Sequence, residues 1–164
     1  MRRTNIFLEN PLDPTNVGCI IRDVYAFDAG TLYYPKSFKT KISKFHGCAC
    51  GTENKVRIQK FDDATDFLKK TNFRKIGFVA QTNATLITDP DFKFKDGDLL
   101  IFGNEKTGLT NEAKQLCDEL VTIPTLGYMA CLNVAHSVAI SLYEVLRQKI
   151  EIGAITIKKN KVIE

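Results

Sequence analysis

No run of apolar residues in this chain approaches the roughly 20 needed to cross a bilayer, and no secretory apolar stretch follows Met1-Arg-Arg-Thr-Asn. A soluble, cytoplasmic protein with no membrane partner is therefore expected. Repeats and low-complexity segments are absent, and 164 residues leave no room for an independent second module, so one domain spanning 1–164 with a short basic tail at 150–164 is expected. Strong charge is missing too. The balance of 23 Lys+Arg against 19 Asp+Glu gives +4, which is compatible with a polyanionic partner without requiring one. The five cysteines (Cys19, Cys48, Cys50, Cys117, Cys131) are odd in number and scattered, so free thiols are expected instead of a disulfide framework. Cys48-Ala-Cys50 beside His46 has neither usual zinc spacing nor a second cysteine pair. No metal is expected there, only a packing segment of small residues.

What is present suffices for one sizeable core, since 44% of residues are hydrophobic. Thr4 to Leu8 reads as a buried strand, and the two prolines of Asn10-Pro-Leu-Asp-Pro-Thr-Asn16 make a rigid loop leading to a helix from Val17. Val17, Ile20, Ile21, Val24 and Phe27 recur at helical spacing. Gly18, Arg22 and Ala26 form a neighbouring stripe, placing Arg22 on a face that something can approach closely. Asp28-Ala-Gly30 closes the helix, and Thr31 to Tyr34 is a strand ending at Pro35. Lys36 to Lys44 is basic and irregular. Val56 to Gln59 and Lys75 to Ala80 are strands around a helix from Asp62 to Lys70. Leu99 to Phe102 and Glu119 to Ile123 are further strands around a short helix from Asn111 to Cys117. A long helix runs from about Leu132 to Lys149. Alternation of this kind predicts an α/β fold with a mostly parallel sheet flanked by helices. The last helix is apolar on two sides, with Leu132, Ala135, Ala139, Leu142 and Leu146 on one and Val134, Val138 and Val145 on the other. One sheet covers one side only, so a homodimer contact is expected.

Chemistry concentrates in Asp98-Leu-Leu-Ile-Phe-Gly-Asn-Glu-Lys-Thr-Gly-Leu-Thr110, where an apolar strand runs into a loop with two glycines and a carboxylate. Gly103 and Gly108 have the spacing of a phosphate loop, and Thr110 matches its last position. Leu109 stands where that loop needs lysine. With Glu105 inside the turn, the loop suits a neutral or positive ligand better than a triphosphate.

Three loops fall at the carboxyl ends of parallel strands, the usual ligand-binding edge of such sheets. They read Asn-Pro-x-x-Pro-x-Asn-x-Gly-x-x-x-Arg from Asn10, Phe-Gly-Asn-Glu-x-x-Gly-Leu from Phe102 and Ile-Pro-x-x-Gly-x-x-x-Cys-Leu-Asn-Val-Ala from Ile123. In this order they closely resemble the three motifs of the SpoU/TrmH family, S-adenosylmethionine-dependent RNA ribose 2′-O-methyltransferases of the SPOUT superfamily. The resemblance spans residues 4 to 149.

The resemblance implies a deep trefoil knot in the C-terminal part of the domain, with S-adenosyl-L-methionine bent among its loops. Thr82, Gly103, Asn104, Gly108, Ile123, Gly127, Cys131 and Leu132 match its cofactor-binding positions. Asn16, Arg22, Glu105 and Asn133 match the catalytic ones. Arg22 then acts as an electrostatic clamp on the ribose oxygen, or as the base; its alternative is a solvated helix arginine. Asn16 and Asn133 are equally read as helix caps, and Glu105 as an exposed turn carboxylate. Cys131 departs from the family's serine, and a thiol is the weaker hydrogen-bond donor. The family acts as dimers through the first and last helices. For RNA, Lys36, Lys39, Lys41 and Lys44, interleaved with Phe38, Phe45 and His46, are residue types suited to phosphate contact and stacking; a solvated lysine-rich loop is the alternative. The implied function is methylation of tRNA, with rRNA as the close variant. A catalytically silent knotted RNA-binding or assembly protein is the competing reading.

Overall fold

The computed structural model describes residues 2–40, 43–80, 83–129, 131–158 and 161–163, without the side chains of 43, 44, 158 and 161–163. Its order is β1 (Asn5–Leu8), α1 (Pro14–Ala26), β2 (Thr31–Pro35), α2 (Ser43–Ala49), β3 (Arg57–Phe61), α3 (Ala64–Lys70), β4 (Lys75–Phe78), β5 (Thr85–Leu86), β6 (Leu99–Phe102), α4 (Asn111–Leu116), β7 (Glu119–Thr122), α5 (Val134–Glu151), β8 (Thr156–Lys158) and β9 (Lys161–Ile163).

The period-two geometry of strands divides the apolar residues between two faces. Ile6, Leu8, Leu32, Tyr34, Leu100 and Phe102 join the core formed with α1, α2 and α5. Phe7, Tyr33, Leu99 and Ile101 join a second core with Leu68 of α3 and Ala113 of α4. Burial on both sides explains why these strands read as unbroken apolar runs.

Seven strands pair in the order β3-β2-β1-β6-β4-β7-β5, every pair parallel. β6 enters between β1 and β4, with Leu99 in register with both Asn5 and Lys75. Because all seven strands run the same way, the loops leaving β1, β4, β6 and β7 emerge at one edge. A reversal of strand order there opens a crevice. At the other edge, Arg74 bridges Asp98, at 3.1 Å, and Glu119. Asp98 is 1% exposed, and burial pushes its carboxyl above the usual range.

Several boundaries differ from the sequence reading. Helix α1 starts at Pro14, with Asp13 as its cap accepting from Thr15 N at 2.8 Å. Asn16 therefore sits inside the first turn and is not the cap. The stretch after Lys36 is not irregular throughout, because Ser43–Ala49 forms α2. The stripe around Gly18 admits it: a Cβ on Gly18 would lie 2.6 Å from Phe45 O and 3.0 Å from Cys48 Cβ. The face open to close approach is thus occupied by the chain's own α2. The small-residue reading of Cys48-Ala-Cys50 fits this packing. β5 and the antiparallel β8–β9 hairpin, at two and three residues per strand, are too short to carry a periodic signal.

α5 buries Ala135, Val138, Leu142 and Val145, but also Ser141, Glu144 and Gln148. Gln148 accepts from Phe94 N at 2.9 Å, and Glu144 accepts from Arg147 at 2.8 Å. Ile140, Tyr143 and Ile150 face outward. Among the described residues no helix is long and apolar enough to cross a membrane.

Candidate active site

The loop after β6 is built on Asn104. Its Oδ1 accepts from Lys106 N at 2.9 Å, Thr107 N at 2.7 Å and Thr107 Oγ1 at 3.1 Å, while its backbone pairs with Gly108. The turn is so tight that a Cβ on Gly103 would lie 1.9 Å from the Gly108 carbonyl carbon, and Gly108 sits at φ +68°. Leu109 is 4% exposed and packs into the α3/α4 core, so this loop directs an apolar group inward where a phosphate loop directs a cation to its ligand. Thr110 caps α4, accepting from Ala113 N at 3.1 Å. It is held by Glu9, whose carboxylate accepts from Thr110 N at 3.0 Å and from its hydroxyl. Glu9 is buried and went unrecognised in the sequence, where it resembles any charged strand end.

Glu105 joins the three loops. It accepts from Leu12 N at 3.0 Å, Asp13 N at 3.2 Å and Asn16 Nδ2 at 2.8 Å. Asn16 then accepts from Asn133 Nδ2 at 2.9 Å, and Asn133 Oδ1 accepts from Ala135 N at 2.8 Å, capping α5. Asn133 is thus cap and bridge at once. A side-chain amide carries both a donor and an acceptor, which lets Asn16 link a carboxylate on one side to a second amide on the other.

Between the loops after β4, β6 and β7 lies a cavity of about 380 Å³. Gly103, Asn104, Glu105, Gly108, Ile123, Cys131 and Leu132 line it, together with Val79 and Ala80 at the end of β4. Gly127 is exposed and outside the lining, and Thr82 and Lys41 fall outside the described residues. Lys106, Lys114, Thr122 and Ser137 also line the cavity. Lys106 and Thr122 adjoin motif residues in the chain, whereas only spatial proximity marks Lys114 and Ser137.

Arg22 is exposed, does not line this cavity, and donates to Cys50 Sγ at 3.6 Å. Beside it, burial raises the Asp23 carboxyl above its usual range, opposed by the positive charge of Arg22. On the basic segment, Lys36 pairs with Asp62 at 2.6 Å and Lys39 is exposed. Phe45 is 3% exposed and belongs to the core, so it is not part of a stacking surface. Phe38 packs edge-on against Tyr34. His46 meets Glu53 at 3.0 Å, and this hydrogen bond holds the Glu53 carboxyl below its usual range. Among the described residues no group of three or more His, Cys, Asp or Glu could hold a metal ion.

A parallel sheet with three motif loops joined by one hydrogen-bond chain beside a cavity defines a class, and comparison with known proteins gives its name. Residues 3–143 match the model of the SpoU rRNA Methylase family, and the chain belongs to that family. It is 30% identical to the tRNA (guanosine(18)-2′-O)-methyltransferase of Aquifex aeolicus, over 90% of this chain and 71% of that one. It is also 30% identical to the 23S rRNA (uridine(2479)-2′-O)-methyltransferase of Streptomyces viridochromogenes, over 88% and 53%. Among solved structures, the SpoU methyltransferase AviRb of S. viridochromogenes in complex with AdoMet superposes with a TM-score of 0.78 at 26% identity, over 92% of this chain and 63% of that one. A structure concerned with 2-OH methylation of C/U34 on tRNA superposes with a TM-score of 0.80 at 26% identity, over 90% and 97%. The chain spans about half the length of several curated relatives it matches.

Proposed function

We propose that the chain transfers a methyl group from S-adenosyl-L-methionine to a ribose 2′-hydroxyl of RNA, with tRNA as the substrate and rRNA as the close variant. The single observation that carries this reading is the Asn133–Asn16–Glu105 hydrogen-bond chain, which ties the three motif loops together at the cavity. The relatives reported above act on both RNA classes by name, and the whole-length structural match concerns tRNA.

The residues present suit the cofactor. A cavity of about 380 Å³ falls within the roughly 300–1,000 Å³ of small-molecule sites. Phe102, Leu109, Ile123 and Leu132 offer apolar wall for a flat base, Glu105 a negative charge for a cationic ligand, and Lys106 and Lys114 positive charge for a carboxylate. Bound S-adenosylmethionine supplies a methyl carbon on a sulfonium, so no metal is needed. Asn16 fixes Glu105, and Glu105 fixes the first-motif loop through two backbone N–H groups. Arg22 serves as a clamp on the developing alkoxide or an adjacent phosphate, the role a planar guanidinium with several donors fits.

Because Arg22 does not line its own chain's cavity, this role goes with a homodimer in which α1 of one copy borders the cavity of the other. Leu126, Tyr128 and Met129 on the β7–α5 loop, Ile140 and Tyr143 on α5 and Tyr25 on α1 are exposed large apolar side chains that such a contact would cover. A trefoil knot, with the segment after β7 threaded under the Gly103 loop, and a cytoplasmic setting complete the reading. Lys39, with Lys36, Lys41 and Lys44, would meet RNA phosphates.

Titration calorimetry with S-adenosylmethionine, followed by tritiated methyl transfer to bulk tRNA and to rRNA, tests the proposal. Micromolar cofactor binding and ribose-linked label in tRNA are expected. A chain that binds no cofactor would instead be the silent RNA-binding scaffold.

A further inference from the structure

At the edge where the strands begin, opposite the cofactor cavity, lies a larger cavity of about 1140 Å³. It is bordered by residues that start β1, β2 and β3, by the end of α1 and by the second half of α5. Four cations line it: Arg2, Arg3, Arg57 and Lys149. Helix C-termini carry partial negative charge, so some cations here would serve the fold alone. Two of the four are accounted for in that way or by ion pairs. Arg3 is paired with Asp28 at 2.9 Å, and Lys149, in the last turn of α5, with Asp96 at 3.2 Å. Among the described residues Arg2 and Arg57 have no carboxylate partner, and both are exposed.

Two further features point to a ligand. Thr4 lines the cavity and is 3% exposed, yet its Oγ1 is buried with no hydrogen-bond partner. A buried hydroxyl left unpaired is destabilising, and an accepting ligand atom would relieve that. The walls also include Phe73 and Phe27, both half-buried, while Tyr33, 6% exposed, belongs to the core beside Phe73. A simple anion would use the arginines and ignore the rings, whereas an apolar ligand would leave the arginines unused. Flat bases carried on phosphates use both. The volume exceeds the roughly 300–1,000 Å³ of small-molecule sites, which favours more than one nucleotide. The chain leaves the groove at Ala154 and Ile155 into the β8–β9 hairpin, where Lys158 and Lys161 occupy paired register positions.

We propose that this groove binds nucleotide phosphates, in the form of a single-stranded RNA segment of a few residues, with Arg2 and Arg57 on the phosphates and Thr4 donating to the ligand. The inference does not depend on methyl transfer. With S-adenosylmethionine saturating, fluorescence anisotropy with a labelled hexaribonucleotide and calorimetry with AMP are run on the wild type and on Arg57→Glu, Arg2→Glu and Thr4→Val. Lys69→Glu, on exposed α3, controls for overall charge.

Hexanucleotide binding is expected to weaken about tenfold in each arginine variant and about threefold in Thr4→Val, with Lys69→Glu near wild type. AMP binding with the same dependence on Arg57 would support the site and identify a free nucleotide as sufficient. Hexanucleotide binding alone would identify the strand as the ligand. Binding of neither probe, or equal weakening in Lys69→Glu, overturns the proposal. Cofactor affinity read in the same samples separates this outcome from failure of the methyltransferase reading.

Discussion

Asn16 and Arg22 sit two turns apart on one helix and carry different duties. Asn16 has both ends of its amide engaged, so Asn16→Ala removes a donor from Glu105 and an acceptor from Asn133 together. The expected result is a loss of about 1–3 kcal/mol of stability by urea unfolding, with methyl transfer reduced far more than cofactor affinity. Among the described residues Arg22 holds only a weak sulfur contact, so Arg22→Ala should leave the unfolding midpoint and cofactor affinity unchanged while abolishing methyl transfer. Unchanged turnover would remove Arg22 from the mechanism. Cys117 offers a pH test. Burial pushes its thiol up to about 12, whereas an unfolded cysteine releases its proton near roughly 8.5. Between these values the folded chain keeps a proton that the unfolded chain loses, so this group's contribution to stability falls as pH rises. From roughly pH 9 to 11 the wild-type urea midpoint should therefore decline more steeply than that of Cys117→Ala. Native Cys117 should also react with maleimide more slowly than exposed Cys50 and Cys131.

Elements differed in how openly the sequence declared them. β6 was legible to the residue, because four apolar residues between Asp98 and Gly103 leave little choice of boundaries. α1 was legible as a helix but not in its start, since Asp13-Pro14 is a cap and first-turn pair inside what reads as a rigid loop. α2 was invisible: seven residues hold too few helical repeats, and its stability comes from packing on Gly18. Gly18→Val should displace α2 and lower thermal stability, whereas Gly47→Ala, with open space around it, should be neutral or stabilising. Circular dichroism melts distinguish the two. Motif residues could be named because spacing along the chain is visible. Glu9 and Lys114 could not, because only the fold brings them to Thr110 or to the cavity.

At the scale of the molecule, the exposed apolar side chains on α5 and the β7–α5 loop carry the expectation of a dimer. Tyr143→Glu combined with Ile140→Glu should shift sedimentation from dimer to monomer while leaving the circular dichroism spectrum intact. Methyl transfer should fall with it, since Arg22 and the cavity would then be parted. Arg74 acts on the chain from the other edge. Arg74→Ala strands the buried Asp98 carboxylate and should cost about 3 kcal/mol, measured by urea unfolding.

The late arrival of β6 bears on biogenesis. A nascent chain that has released only its first ninety or so residues holds β1 and β4 but lacks the strand that hydrogen-bonds to both of them. Neither flank of the sheet can seal its inner edge until Leu99–Phe102 leaves the ribosome, and the cavity, which opens on the loop just beyond, cannot exist before then. Synthesis thus withholds the central joint until five of the seven sheet strands have been made, and ribosome-stalled chains ending before β6 should remain protease-sensitive throughout.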